Sequence, residues 1–392
     1  MKITGYRYET YMMKLDRPIA DCNLPEGVEL LPGSILYIET DENVTGLSLG
    51  FGGSGIESLF PLIEGEDPRE VTRLWMKIVD HIHKGGNEGA ANYTLAAIDI
   101  ALWDLKAKIA GQPLWRLLGA AHGRVKAYAS GLDYCLSDED LFAFYRRMAD
   151  VGVDAGKLKV GLDLKADMRR IGIMQEALST ASNNPLLTID ANEYWSPKQA
   201  VRYVRQMEEK FDLAWVEEPA RRWDYQGLRL VSQQVSAAVA TGENVNSVAD
   251  FYALIANQAV DVLNVAAGHS GVTGCRQVAN LAQAYALPVS MMNCQANFMA
   301  HVAAALPNHI GMEVVDPGRE QCLKFDNHIE DGYIVLGNEP GFGITVDEPA
   351  LAALQANPPK GRGTFPLSRR DGAGRYIVPL RPGEVPWSHD SD

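Results

Sequence analysis

No stretch of the 392 residues approaches the roughly 20 apolar residues that a membrane span needs, so no membrane partner is expected. The start, MKITGYRYETYMMKLDRP, lacks a continuous apolar core, and no signal peptide is expected. Cysteine is scarce. The five, Cys22, Cys135, Cys275, Cys294 and Cys322, are odd in number and lack CxxC spacing. That excludes a thiolate zinc site and fits reduced thiols in a cytoplasmic protein. There is no phosphate-cradling glycine loop and no Ser-His-Asp arrangement. Positive charge is in deficit, 36 basic against 50 acidic residues, for a net charge of −14. This disfavours nucleic acid and anionic membrane as partners. It leaves the active site open, because a metal can reverse the local field there.

What is present is an alternation. Short apolar runs at 125–130, 155–161, 186–192, 213–219, 238–244, 261–267, 288–294 and 310–316 read as strands buried on both faces. Helical patterns such as 164–178, 196–210 and 225–236 lie between them. Strands alternating with helices predict a parallel sheet, and eight of them predict a closed (β/α) barrel, with the last helix replaced. The chain is long enough for a barrel of roughly 250 residues plus a smaller domain.

Ahead of the barrel the pattern differs. Strands are expected at 3–15, 34–40 and 45–51, then amphipathic helices at 68–82 and 94–109. Strands followed by helices predict a separate α+β domain. Two loops, 21–27 and 51–57, carry glycine and read as candidate lids or as plain surface loops. The expected division is an α+β capping domain at 1–120, a barrel at 121–320 and a C-terminal segment at 321–392 that completes the cap.

Three strand ends carry acid: Asp190, Glu217 and Glu243, spaced 27 and 26 residues apart. Carboxylates at the carboxyl rim of three successive strands make a hard, oxygen-rich site of the kind Mg²⁺ prefers. Lys157 and Lys159 alternate along the preceding strand, so both face the barrel interior. Two neighbouring ammonium groups repel, which is expected to lower the pKa of at least one and suit it to act as a base. Taken alone, the pair reads equally as counter-charge to the acidic rim. A metal gripping a substrate carboxylate would meet the charge that develops when a lysine removes the adjacent proton.

These residues carry a resemblance. The motifs Lys157-Leu-Lys159, Asp190-Ala-Asn192, Trp215-Val-Glu217-Glu218-Pro219 and Thr241-Gly-Glu243-Asn244 resemble the mandelate racemase and muconate cycloisomerase branch of the enolase superfamily. So do the helix at 98–108 and the tail at 332–343. The resemblance implies an α+β capping domain over a modified (β/α)₇β TIM barrel, one Mg²⁺, and a carboxylate substrate that loses its α-proton. It implies Lys159 as the base, Lys157 beside the substrate carboxylate, and Asp190, Glu217 and Glu243 as metal ligands. Glu218 is then expected behind the ligands, Asn192 in support of the metal site, and Glu313 near a substrate carboxylate oxygen.

One departure matters. Many members of that group place an Asp on the sixth strand and a His on the seventh, facing the substrate from the other side. Here Ala266 and Asn293 stand at those places. Asn293 exchanges no proton, though it donates hydrogen bonds. The loss weighs against opposed-base racemisation and favours a one-sided reaction, dehydration of an acid sugar to a 2-keto-3-deoxy acid. Tyr134, Tyr194, His269, a lid residue or Lys159 itself are candidates to protonate the leaving hydroxyl. Two alternatives stay open: a cycloisomerase or epimerase acting on a lactone or other carboxylate, and a barrel that only binds a ligand. A symmetric homo-oligomer is the usual outcome for such a chain.

Overall fold

The computed structural model describes residues 1–50, 52–268, 271–363 and 373. At its centre eight parallel strands close into a barrel: β4 (Arg124–Ser130), β5 (Ala155–Lys159), β6 (Leu186–Asp190), β7 (Leu213–Glu217), β8 (Ala238–Thr241), β9 (Val262–Val265), β10 (Val289–Met291) and β11 (His309–Val314). Each pairs with the next in sequence, and β11 pairs with β4 to close the ring, Glu313 against Tyr128. All eight strands fall within three residues of the expected runs. The first six crossovers are helices; the seventh is only a 3₁₀ turn (Gln295–Asn297) and the four-residue helix Ala300–Ala303. No helix follows β11 before β12, which makes the barrel (β/α)₇β, as expected.

Several barrel helices begin where a short polar side chain caps free backbone N–H groups. Ser137, Asp163, Ser196, Asp224 and Ser247 each accept from the N–H three residues on. Each such cap contributes about 1 kcal/mol and fixes where a helix starts.

The barrel floor is apolar. Tyr128, Ala155, Trp215, Ala240 and Val262 pack together there, with the Tyr128 and Trp215 rings edge to face at 5.4 Å. Above that plug the interior turns polar, and the functional layer begins.

The N-terminal region is a three-stranded antiparallel sheet, β1 (Ile3–Asp21), β2 (Leu24–Thr40) and β3 (Thr45–Leu49), with the helices Val71–Ile82 and Gly89–Ile109. Here the structure corrects the sequence reading. The loop expected at 21–27 does not exist as such: β1 and β2 form one long hairpin with only Cys22 and Asn23 at its turn. Pro18, Pro25 and Pro32 lie within these strands; β1 is an edge strand of its sheet, and a register shift between Lys14 and Ile19 absorbs Pro18. The hairpin tip reaches the barrel rim, where Cys22 Sγ donates to the Ala191 carbonyl at 3.2 Å and Asn23 Nδ2 to that of Asn192 at 3.2 Å. The second expected loop holds a 3₁₀ turn (Gly53–Gly55) and a short helix (Ile56–Leu59); Phe51 lies outside the described residues. The helix expected from residue 94 starts earlier, at Gly89.

The C-terminal segment divides between the barrel and the cap. β12 (Leu323–Phe325) pairs with β15 (Ile344–Val346), while β13 (His328–Glu330) and β14 (Tyr333–Val335) extend β4. The helix Glu348–Ala356 sits on β1, with Arg7 and Glu348 ion-paired at 2.9 Å.

A buried acid fastens the Gly89–Ile109 helix to the barrel. Asp99 accepts from the Thr273 N–H at 2.9 Å and its hydroxyl at 2.6 Å, at the start of the helix Gly271–Ala284. Burial pushes the Asp99 carboxyl up to about 7, although these two bonds pull it down. An acid with a raised folded-state pKa holds its proton more tightly folded than unfolded. Its contribution to stability therefore falls as pH rises from about 4, the unfolded value, through 7. Melting curves between pH 4.5 and 8 are expected to show that decline, and Asp99→Asn to flatten it; an unchanged slope would contradict this assignment.

Candidate active site and metal centre

Strand register assembles the site. Lys159 pairs with Asp190, Asp190 with Glu217, and Glu217 with Ala240, so three functional side chains lie in one row across β5, β6 and β7. Glu243 follows β8 by two residues. One ligand atom from each of Asp190, Glu217 and Glu243 lies within 4.8 Å of the others. An octahedral Mg²⁺ with oxygens at about 2.1 Å sets neighbouring ligands roughly 3 Å apart, so the three need only a small contraction to share one. Glu217 Oε2 is buried without a hydrogen-bond donor, as a ligand oxygen awaiting a cation would be. The donor set is all carboxylate and fits a hard divalent ion.

The two lysines point inward from β5 and are buried, Lys157 at 0% and Lys159 at 2% exposure. Lys157 Nζ lies 2.6 Å from Glu217 Oε1, 3.0 Å from Glu313 Oε1 and 3.6 Å from Asp190 Oδ2. Lys159 Nζ lies 2.5 Å from Asp190 Oδ2. This reverses the expected direction of the pKa shift. Burial alone would lower both ammonium groups, and each repels the other. The carboxylates within ion-pair distance outweigh that, and both lysines sit above their ordinary value. The sequence reading counted the neighbouring lysine and missed how closely the acids approach. Burial pushes Glu217 up to about 8, and Asp190 and Glu243 add to the rise while Lys157 opposes it. Burial, with Glu243 beside it, carries Glu218 well above its usual range. Such a crowd of buried acids is what a divalent cation relieves.

A clamp that sequence reasoning missed holds Lys159 from behind. Asp133 Oδ1 accepts from the Lys159 N–H at 3.2 Å and from Arg170 Nη2 at 2.8 Å. Arg170 Nη1 donates to the Lys159 carbonyl at 2.8 Å. The Tyr145 hydroxyl lies 2.7 Å from Asp133 Oδ2 and 2.6 Å from the Lys157 carbonyl. Buried charges this closely paired specify geometry more than they add stability.

The other expected residues fall as follows. Glu218, at φ 43, is buried and accepts from Asn244 Nδ2 at 2.8 Å. Asn192 donates its N–H to Asp190 Oδ1 at 2.8 Å, which holds that ligand. Glu313 is tied to Lys157 and to Asn293, whose N–H and Nδ2 donate to Glu313 Oε2 at 3.1 and 2.6 Å. Lys157 and Lys159 hold the Glu313 carboxyl down to about 2 against its burial. Tyr134 accepts from the Leu162 N–H at 3.2 Å, and Tyr194 is buried. His269 lies outside the described residues.

Across the barrel from the lysines, a cavity of about 230 Å³ opens between the rim and the capping helix Gly89–Ile109. Glu243, Ala266, Asn293 and Arg319 line it, with Tyr93 above. Among the described residues no His or Asp lines it, so no His-Asp pair of described residues faces the lysines there. Arg319 is a further residue missed in the sequence. It follows β11 in a loop with no periodic pattern.

Barrel, cap, paired lysines and three rim carboxylates together define an enzyme that binds a divalent metal. Comparison with known proteins agrees. The enolase C-terminal domain-like family matches residues 140–350, and the mandelate racemase / muconate lactonizing enzyme N-terminal domain matches residues 33–119. The chain belongs to the enolase superfamily, in its mandelate racemase/muconate lactonizing enzyme branch. It is 30% identical over 332 residues to a 3,6-anhydro-alpha-L-galactonate cycloisomerase of Streptomyces coelicolor, covering 81% of this chain and 90% of that one. It is 30% identical over 310 residues to an L-talarate/galactarate dehydratase of Salmonella typhimurium, covering 76% and 75%. A solved racemase from Streptomyces coelicolor with bound magnesium superposes with a TM-score of 0.83 at 28% identity, covering 90% of this chain and 99% of that one. The chain is therefore an enzyme of the lyase or isomerase type. Among the described residues, no helix is long and apolar enough to cross a membrane.

Proposed function

We propose that this enzyme removes the α-proton of a small hydroxy acid with Lys159 and expels an oxygen from the β-carbon, dehydrating an acid sugar to a 2-keto-3-deoxy acid. The observation that carries the reading is asymmetry: two lysines on one wall of the site, an alanine and an asparagine on the other. Asp190, Glu217 and Glu243 would hold Mg²⁺, which when bound supplies a Lewis acid for the substrate carboxylate and for the charge of the enediolate.

The residues act as follows. Asp190 and Glu217 pair with the lysines at 2.5 and 2.6 Å; were both to serve as ligands, less of their charge would be left for Lys159, which would favour its neutral form. Its lone pair takes the α-proton, and the C–H electrons enter the carboxylate as an enediolate. Those electrons return to form the α,β double bond as the β-carbon–oxygen bond breaks. Lys159, now charged, can return its proton to the departing hydroxyl on the same face, giving water and an enol that becomes the keto acid. Lys157, fixed by Glu313, stays cationic beside the substrate carboxylate. Asn192 keeps Asp190 oriented.

A second reading shares the first half of this chemistry. The Streptomyces coelicolor relative is named a cycloisomerase, and the cavity's cap-facing wall is largely apolar, with Leu31, Leu49, Ile100 and Phe298. A cyclic ether would suit that wall, its ring oxygen leaving in place of hydroxide.

The test is incubation with Mg²⁺ and a panel of mono- and diacid sugars and their anhydro forms, read as 2-keto-3-deoxy product. Release of keto acid from an open-chain acid supports dehydration, and release only from an anhydro acid supports ring opening. Epimers without keto acid would overturn both.

A further inference from the structure

We infer that Arg319 anchors the end of the substrate remote from its carboxylate, through acceptor oxygens, and that Asn293 is its positioning partner. This rests on the acid-binding reading of the site given above.

A polar chain crosses the rim. Lys157 Nζ meets Glu313 Oε1 at 3.0 Å, Asn293 Nδ2 donates to Glu313 Oε2 at 2.6 Å, and Arg319 Nη1 donates to Asn293 Oδ1 at 2.9 Å. These contacts fix the Asn293 amide. Turned over, it would place NH₂ against a guanidinium and oxygen against a carboxylate. A neutral imidazole has one donor and one acceptor to offer, but once protonated it would turn a second donor and a positive charge on Arg319. The wall without a second base is thus built around a permanent cation.

Arg319 is held but not used up. Nη2 donates to the Cys294 carbonyl at 3.2 Å, and its own carbonyl accepts from Gln295 Nε2 at 2.6 Å. A guanidinium has five N–H donors, and these contacts engage two. Nε is buried and finds no acceptor among the described residues. The side chain lines a cavity whose other walls include Met13, Leu31, Leu49, Ile100 and Phe298, and in which, among the described residues, Glu243 is the other charged lining residue. The second N–H on each of Nη1 and Nη2 is not engaged among the described residues, and a ligand oxygen in the cavity would meet it. A guanidinium presents a planar fork of donors that positions oxygen. A terminal hydroxyl and a second carboxylate both offer such oxygens.

The two are separable. Lys159→Ala with Mg²⁺ should hold an acid without turning it over. In that background, binding is measured by calorimetry for a stereochemical panel of six-carbon aldonates and aldarates and for glycolate, which has no far end. Adding Arg319→Met is expected to weaken the tightest six-carbon acid by about ten- to a hundredfold and glycolate by less than about twofold. Arg319→Lys, which keeps charge but not the planar fork, is expected to recover only part. A greater loss among aldarates identifies a terminal carboxylate, and a greater loss among aldonates a hydroxyl. No loss, or an equal loss for glycolate, would overturn the inference and leave Arg319 a latch for the 293–294 turn. If no acid binds while Arg319 is intact, the acid-binding reading itself fails. An unchanged magnesium-induced rise in melting temperature in Arg319→Met serves as the check on folding.

Discussion

Replacing Lys159 by alanine is expected to cut turnover by at least about a thousandfold while leaving metal binding intact. General acid–base groups contribute typically 10² to 10⁴ in rate, and here one side chain would both take a proton and return it. The loss should fall on kcat, because Lys159 acts on the reacting carbon and the substrate carboxylate is held elsewhere. The fold should tolerate the change. The clamp of Asp133 and Arg170 grips the Lys159 backbone, whatever its side chain. Removing a cation from beside Asp190 also leaves that carboxylate free for metal. The check is kcat and KM on the best acid of the panel, with Mg²⁺ titrated in parallel. Turnover within tenfold of the parent would remove Lys159 as the base.

Loss of the metal is the second large effect. Chelation is expected to abolish activity, and added Mg²⁺ to restore it. Glu217→Gln should weaken the metal by more than about a hundredfold, since it removes a ligand charge and not merely a partner of one. That substitution also reduces the Lys157 contact at 2.6 Å from an ion pair to a hydrogen bond, but Glu313 at 3.0 Å keeps the ammonium paired, so the variant should fold. Saturating metal stabilises whatever binds it: about 2.7 kcal/mol at a hundredfold excess over Kd. A melting temperature that rises with Mg²⁺ in the parent and not in Glu217→Gln is the expected pair of results. Equal rises in both would place the ion elsewhere.

Much of the barrel could be read in the chain because its strands are buried on both faces, so each announces itself as a short apolar run. Strand-end acids at nearly equal spacing then placed three carboxylates together, since each βα unit returns the chain to the same rim. What stayed hidden depends on contacts between distant segments. The β1–β2 hairpin runs past three prolines because pairing along its length outweighs local preference. Asp133, Tyr145 and Arg170 look unremarkable in sequence and meet only behind β5. Arg319 gave no signal, since a loop has no period. The lysine pKa was misjudged for a similar reason: spacing shows that Lys157 and Lys159 share a face, but not that Asp190 and Glu217 come within 2.6 Å of them. Asn293 was legible as a missing histidine, yet its role as a spacer between Glu313 and Arg319 was not.

Base chemistry from a single wall has a stereochemical signature. The two C2 epimers of the acid that the enzyme consumes should be supplied separately, with Mg²⁺, and their disappearance followed by NMR. Only the epimer whose C2 hydrogen faces Lys159 is expected to react, the other persisting at less than about a thousandth of its rate. Comparable consumption of both epimers would mean that a second base works from the side of Ala266 and Asn293, and would contradict the one-sided mechanism.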